Sequence, residues 1–414
     1  MSIETILYCN TSYIRLNALF AAASWLLSPE SLFADDFSPE HQPMDVTSFL
    51  NLVQIVSTPD ELSLSRVLCH SVMLQCSEPR DRVFGLLSLL ELSTREHAHP
   101  VALKPDYTKS VVEVFCDATR ACLDGCDDPW ILDWLGYERS GDNMIKGLPS
   151  WVPSWYCGKS TQAATRLPSH TRLWAYKSCS ADTPLVPETS VGKVLSIRGV
   201  VVGSIAKLSD AVISRNGSTD SCTYVDFMSK AGKLLFDGDP LASVFRNLER
   251  LDHVLSAGCK DAELMRWWLK YLGFIFPTMQ LGTNDVQNPT TRPAEPSGQD
   301  QAESDVSDDT SPEAQAAKEA AMRKFDEAIV HCYDRKVFLT QSGLLGIGPR
   351  DLQNGDVIAV SKLSQWPLVL RRREDLGLDY HTVIGASYVE GLNIGQDLFA
   401  AAAEGDGTRT LHLV

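Results

Sequence analysis

Lys336-Val-Phe-Leu-Thr-Gln-Ser-Gly-Leu-Leu-Gly-Ile-Gly-Pro-Arg350 breaks its apolar runs with glycine and proline every few residues, and its reading decides the fold. Runs this short, cut at Gly343 and Gly348-Pro349, fit strands joined by tight turns better than a helix. A phosphate-binding loop would instead lead into a helix whose first amides face the anion. Here Pro349-Arg350-Asp351 and another apolar run follow, so the glycines read as strand-turn glycines. The pattern continues: Lys336–Thr340, Leu344–Ile347, Asp356–Ser361, Pro367–Arg372 and Thr382–Val389 are strand-like, with Asn354-Gly355 and Gly377 between them. Short strands at this spacing predict a small β-barrel or rolled antiparallel sheet over 336–414.

Working upstream, the periodicity changes. Leu16, Leu19, Phe20, Ala23 and Leu27 recur at helical spacing, as do apolar residues in 46–56 and 62–75, so residues 14–92 read as helical. Ser77 precedes Glu78-Pro79 and is the expected N-cap of a helix burying Val83, Phe84, Leu86, Leu87 and Leu90. Ser110-Val-Val-Glu113 reads as a capping box, in which serine and glutamate satisfy each other's backbone N–H groups. Pro149 and Pro153 exclude a continuous helix across Leu148-Pro-Ser-Trp-Val-Pro-Ser-Trp155. Trp151 and Trp155 are the expected plugs of the helical layer.

The predicted architecture is α+β, an N-terminal helical region packed with the C-terminal β module. The divisions are 1–157, helical; 158–210, β-strands joining the C-terminal module; 211–281, a helical insertion; 282–313, a disordered acidic linker; 314–335, a helix; and 336–414, the β module. Leu173–Ser178 and Val194–Ile205 are the expected joining strands, and Tyr224–Leu235 and Ala262–Phe276 the inserted helices. The linker is assigned from composition: it has no aromatic residue and almost no aliphatic one, so burial cannot offset its ordering entropy.

Charge and cysteine usage exclude several function classes. The formal charge is −16, and between Thr283 and Glu313 eight acids face one base, Arg292. Arg371-Arg-Arg373 is the one tight basic cluster, and Glu374 and Asp375 follow it immediately. A phosphate backbone needs clustered, unopposed Lys and Arg, so no nucleic-acid partner is predicted. The 11 cysteines are scattered, which fits reduced thiols in a cytoplasmic, soluble chain. The richest apolar run, Ala18 to Leu27, is about half of a spanning helix, so no membrane partner is predicted either.

No residue type recurs at a catalytic spacing. There is no Gly-x-Ser-x-Gly elbow, and Cys69-His70 and His331-Cys332 are only sequence neighbours. Cys122 and Cys126 stand alone, His97 and His99 lie in a loop beside Pro100, and Asp127-Asp128 and Asp308-Asp309 lie in polar segments. Arg80, Asp81 and Arg82 read as cap and salt-bridge residues, with Asp106 able to cap or to meet Arg80 or Arg82. No catalytic, cofactor-binding or metal-binding residue is assigned, and no cofactor is expected.

Taken together, four blocks resemble the fungal heterokaryon incompatibility (HET) family. Glu78–Leu90 is similar to its Asp-Pro-Arg-Asp-x-Val-Tyr-x-Leu-Leu-Gly helix, and Pro105–Ser110 to its Pro-Asp-Tyr block. Leu148–Trp155 resembles its Leu-Pro-Ser-Trp-Val-Pro-Asp-Trp block, with Ser154 in place of the aspartate. The tail from Phe338 to Gly391 resembles its C-terminal β module. Residues 4–27 look like the segment just after the HET domain, whose Ser-Tyr-x-Trp-Gly and Cys-Ile-Asn-Gln segments are absent here. That domain is regarded as the trigger of the death response and as distantly similar to TIR domains. The resemblance therefore implies a truncated, non-catalytic regulatory or recognition protein of fungal non-self recognition, with protein partners of unknown identity. The alternative it leaves is part of an active death effector or enzyme whose catalytic domain lies upstream.

Overall fold

The computed structural model describes residues 6–9, 12–15, 62–71, 76–92, 103–124, 131–132, 135, 145–155, 189–213, 221–236, 244–255, 332–361, 363–364, 366–392 and 407–414, with isolated positions at 18, 316, 319–320, 325 and 329. The expectations for 16–56, 173–178 and 262–276 fall outside them, save for position 18, as do the acidic linker 282–313 and the loop histidines His97 and His99.

At the start of the chain β1 (Ile6–Cys9) and β2 (Ser12–Arg15) form an antiparallel hairpin. Residues 14 and 15, expected to be helical, are therefore strand. The helical layer follows as α1 (Leu64–Ser71), α2 (Asp81–Leu87) with a 3-10 turn over Ser88–Leu92, and α3 (Val111–Asp124). The capping box forms as expected. Ser110 N–H donates to Glu113 Oε2 at 2.7 Å, and Glu113 N–H donates to Ser110 Oγ at 3.3 Å. Ser77 does not cap α2. The cap position is Arg80, and the first amides, from Asp81 and Arg82, reach back three residues to the Glu78 and Pro79 carbonyls at 3.0 and 3.2 Å. A tight 3-10-like turn satisfies these amides without a hydroxyl.

The β module is built around β4 (Val194–Leu208), which enters from β3 (Thr189–Val191). Two helices, α4 (Ser221–Phe236) and α5 (Val244–Leu255), separate it in sequence from β5 (Arg335–Thr340) and β6 (Leu345–Pro349). Next come β7 (Val357–Ser361), β8 (Leu368–Arg372), β9 (Tyr380–Ala386), β10 (Tyr388–Val389) and β11 (Thr408–Leu413). Among the described residues these nine strands, β3 to β11, form one sheet. Within it β4 pairs with β11, β11 with β9, β9 with β8, β8 with β7, and β7 again with β4, which makes a ring. The other half of β4 pairs with β5, and β5, β6 and β10 extend the sheet. Register shifts at Val201/Gly203 and Ile205/Lys207 bend the long strand between these neighbours. The expected antiparallel sheet is in fact mixed, because β11 runs parallel to β9.

Strand alternation divides the packing. Val357 and Ala359 of β7 join Leu195, Ile197, Leu368, Leu370, Val383, Leu411 and Leu413 in one core. Ile358 and Val360 point the other way, to Phe338, Ile205, Val369 and Ile384. The first core also contains Phe115, Val83, Trp151 and Trp155, so the helical layer and the ring share one apolar interior. A third cluster sets α4 and α5 against Leu345, Ile347 and Tyr388 of the extended sheet.

Candidate functional site

Three junctions hold the side chains that the sequence singles out. At the first, the turn before α2 meets the turn before α3. Arg80 Nε donates to Glu78 Oε1 at 2.7 Å and its Nη2 to Glu78 Oε2 at 3.1 Å, a two-pronged ion pair. Its remaining nitrogen, Nη1, donates to the carbonyls of Tyr107 and Lys109 at 2.5 and 3.0 Å. The guanidinium carbon lies 5.5 Å from the Tyr107 ring centroid, and the Tyr107 hydroxyl donates to Asp81 Oδ1 at 2.6 Å. Phe84 meets the same ring edge-on at 5.2 Å. Asp106 bonds neither arginine; its Oδ1 accepts from Thr108 N–H and Oγ–H at 2.9 and 2.6 Å. Arg82 is buried and donates to the Ser71 carbonyl at 2.7 Å.

These bonds set the electrostatics. Bonds from Arg80 hold the Glu78 carboxyl below its usual range, and donation to Asp81 pushes the Tyr107 phenol up. Such groups stay charged, or stay protonated, across neutral pH. They suit a fixed surface more than proton transfer, which needs a group poised near the working pH.

The second junction is the tryptophan block, where Pro149 and Pro153 keep the backbone out of helix. Ser150 Oγ accepts Val383 N–H of β9 at 2.8 Å, and Ser150 N–H donates to the Val414 carbonyl at 2.9 Å. Trp151 is 0% exposed and donates through Nε1 to the Lys193 carbonyl at 3.0 Å. Arg120 of α3 lies over the Trp151 ring at 5.2 Å and also donates to the Gly192 carbonyl in the β3–β4 turn. Burying one such indole removes roughly 200 Å² from water, worth about 5 kcal/mol of gross transfer free energy. Trp151 and Trp155 thus do more than plug the helical layer: they pack it onto the ring.

At the third junction α5 docks on the sheet. Arg250 Nε donates to both oxygens of Glu390 at 2.9 and 3.0 Å, and Glu390 Oε1 also accepts Leu345 N–H at 2.8 Å. His253 Nε2 lies 2.7 Å from the Tyr388 hydroxyl. Within the module, Asp356 is buried and pairs with Arg371 at 2.8 and 2.9 Å. Arg373 pairs with Asp375 at 2.8 and 2.6 Å, so both outer arginines of the basic cluster are engaged by carboxylates.

One contact escaped the sequence reading. Ser196 Oγ lies 2.8 Å from His412 Nδ1, a serine–histidine pair 216 residues apart. The two face each other in the β4–β11 register, and the imidazole stacks on Tyr380 at 4.9 Å. A hydrolytic dyad needs a group orienting the imidazole and donors for an oxyanion. Among the described residues no carboxylate bonds His412, and the pair reads as a cross-strand contact. The alternation in Thr408-Arg-Thr-Leu-His-Leu413 was the available signal for its strand.

Of the cysteines, Cys69, Cys116, Cys122 and Cys332 are buried thiols. Burial pushes Cys116 up to about 11, far from a thiolate nucleophile at neutral pH. Among the described residues no group of three or more His, Cys, Asp or Glu has the arrangement of a metal site. No helix among them is long and apolar enough to cross a membrane.

A family profile described as the Het-6 beta-barrel domain matches residues 293–406. Heterokaryon incompatibility protein 6, OR allele, of Neurospora crassa is 26% identical over 351 residues, covering 77% of this chain and 48% of that protein. In both comparisons the chain is similar to heterokaryon incompatibility proteins. It spans about half the length of the curated relative it matches. No solved structure matches it. The HET-family barrel profile contains β5 to β10, whereas β4 and β11, which complete the ring, lie outside the matched residues.

Proposed function

We propose that this chain is a regulatory or recognition protein of fungal non-self recognition, acting through protein contacts and without a catalytic step of its own. The observation that carries the reading is the reach of the similarity, which extends over 351 residues and so beyond the barrel profile. The chemistry of the junctions supports it. Glu78, Arg80, Asp81 and Tyr107 engage one another, and Asp356 and Arg371 form a pair.

The test is genetic. The gene is deleted in one member of a fungal pair that cannot form a viable heterokaryon, and viability after fusion is scored. Restored viability, reversed on reintroducing this chain, is the expected result. Unchanged incompatibility after deletion, in every tester pairing, contradicts the recognition role. A second reading makes the chain the downstream portion of an active death effector with a catalytic domain upstream. The greater length of the Neurospora relative motivates it, and it predicts arrest only when the chain is expressed joined to that domain.

A further inference from the structure

The β8–β9 connection, Arg373-Glu-Asp-Leu-Gly-Leu-Asp-Tyr380, turns an apolar pair outward on a frame of its own hydrogen bonds. Leu378 is 83% exposed and Leu376 48%, whereas almost every large aliphatic side chain of the flanking strands is buried. Tyr380 N–H donates to the Gly377 carbonyl at 3.3 Å, and Arg373 N–H donates to the Tyr380 carbonyl at 2.8 Å. Leu376 and Gly377 N–H both donate to the Arg373 carbonyl, at 3.0 and 3.2 Å. The Arg373–Asp375 ion pair clips the near side of the turn, and Gly377 takes φ 132, a conformation that strains any other residue. Downstream, the Asp379 carbonyl accepts His412 N–H at 2.8 Å, tying the loop to β11.

An isolated exposed leucine needs no explanation. Two on one internally bonded loop, separated by a glycine whose positive φ sets the turn, are held in a fixed presentation, and fixing a contact in advance lowers its ordering cost on binding. We propose that Leu376 and Leu378 form the anchor of a protein-docking site. Its partner is a protein with an apolar pocket rimmed by Lys or Arg. The rim follows from charge: the exposed carboxylates of Glu374 and Asp379 flank the leucines, and Asp375 is neutralised by Arg373. The same carboxylates oppose insertion into an anionic bilayer. The inference rests on the recognition reading, since it locates where a partner of that pathway binds.

The experiment places a photo-cross-linking residue at 376 or 378 of the full chain in a fungal host, with position 249 on α5 as an exposed control. A protein joined from 376 or 378 and not from 249 is then purified and titrated against wild type, Leu378→Ser and Leu376→Ser/Leu378→Ser. The expected result is an unchanged melting temperature and a Kd raised at least about tenfold by the single change and further by the double. Glu374→Lys/Asp379→Lys is expected to weaken binding and flatten its salt dependence. The proposal is overturned if no protein is joined from either position, or if cross-linking is equal from 249. It is also overturned if the leucine variants bind as wild type, or if the leucines act only on phosphatidylcholine vesicles. If deletion of the gene restores heterokaryon viability while the leucine variants behave as wild type, the recognition reading stands and this docking site falls.

Discussion

Ser150 and Val383 are joined across 233 residues of chain by one hydrogen bond, in which Ser150 Oγ accepts the Val383 backbone N–H at 2.8 Å. Both groups are buried. The bond ties the tryptophan block of the helical layer to β9 of the ring. Ser150→Ala leaves a buried N–H without its acceptor, which costs about 1–3 kcal/mol. Chemical denaturation followed by tryptophan fluorescence and far-ultraviolet dichroism measures it. Both signals are expected to move together, and movement of only one would separate the two layers.

Trp151→Ala tests the same seam more severely. It removes an indole that fills the shared core, donates to the Lys193 carbonyl and lies under Arg120. The expected loss is about 3–5 kcal/mol, the range for a large aromatic cut to alanine in a core. A loss below about 1 kcal/mol would mean that the site collapses freely and that the layers do not depend on the indole.

Two glycines of β6 and its turn are expected to respond for different reasons. A Cβ on Gly346 would lie 2.4 Å from Phe338 Cζ and 2.7 Å from the Tyr388 carbonyl oxygen, so Gly346→Ala forces the strand or the ring to shift. About 1–3 kcal/mol of overpacking cost is expected. Gly343 has open space around it but takes φ 83, so Gly343→Ala carries only the cost of a left-handed residue, about 1 kcal/mol. Urea midpoints rank the two, and the reverse order would contradict the packing argument.

Asp81 and Tyr107 share one bond at the exposed junction. Asp81→Ala and Tyr107→Phe each remove it, so both should lower the melting temperature. The double change should lower it by less than the sum of the singles, because the second substitution finds the bond already gone. Additive shifts would show that the two residues act apart. Unchanged melting with lost partner binding would instead make the junction a recognition surface.

His381 gives stability a pH dependence. It is buried, its Nδ1 lies 2.9 Å from the Asp379 carbonyl, and burial depresses its pKa below the ordinary 6.5. Between the depressed value and 6.5 the unfolded chain binds a proton that the folded chain does not, so stability rises with pH. The contribution is complete above 6.5 and is lost as pH falls toward the folded-state pKa. Denaturation midpoints from about pH 5 to about pH 8 should show a shallower slope in His381→Gln than in wild type. Equal slopes would remove the residue from the account.

Local signals carried far in this chain. The capping box at Ser110 needs only residues three apart, and the strand turns at Gly343 and Gly355 need only their own backbone, with φ 83 and 88. Val194–Ile205, expected as a joining strand, lies within β4, which runs on to Leu208. Helix α5 lies within the expected helical insertion 211–281 but outside the two segments named there, although Val244, Leu248, Leu251 and Leu255 have helical spacing. The run expected over Thr382–Val389 is two strands, because Ser387 turns away to donate to the Pro367 carbonyl at 3.0 Å. Strand β11 was not expected at all, although it carries the parallel pairing that makes the sheet mixed. The alternation of Thr408–Leu413 is a local signal for β11, but its parallel pairing with β9 and the Ser196–His412 contact have none; each depends on which strands lie beside β11. For the site, the burial of the tryptophans was legible from composition and proline placement. That Arg80 would reach backbone carbonyls 27 and 29 residues away was not.

The central claim is that this chain recognises a partner and performs no catalytic step. It is tested most directly by inducing the 414-residue chain alone in a fungal host and following growth and cellular NAD. The account predicts normal growth and unchanged NAD at expression levels verified by blot. Growth arrest from this chain alone, with or without a fall in NAD, would contradict it.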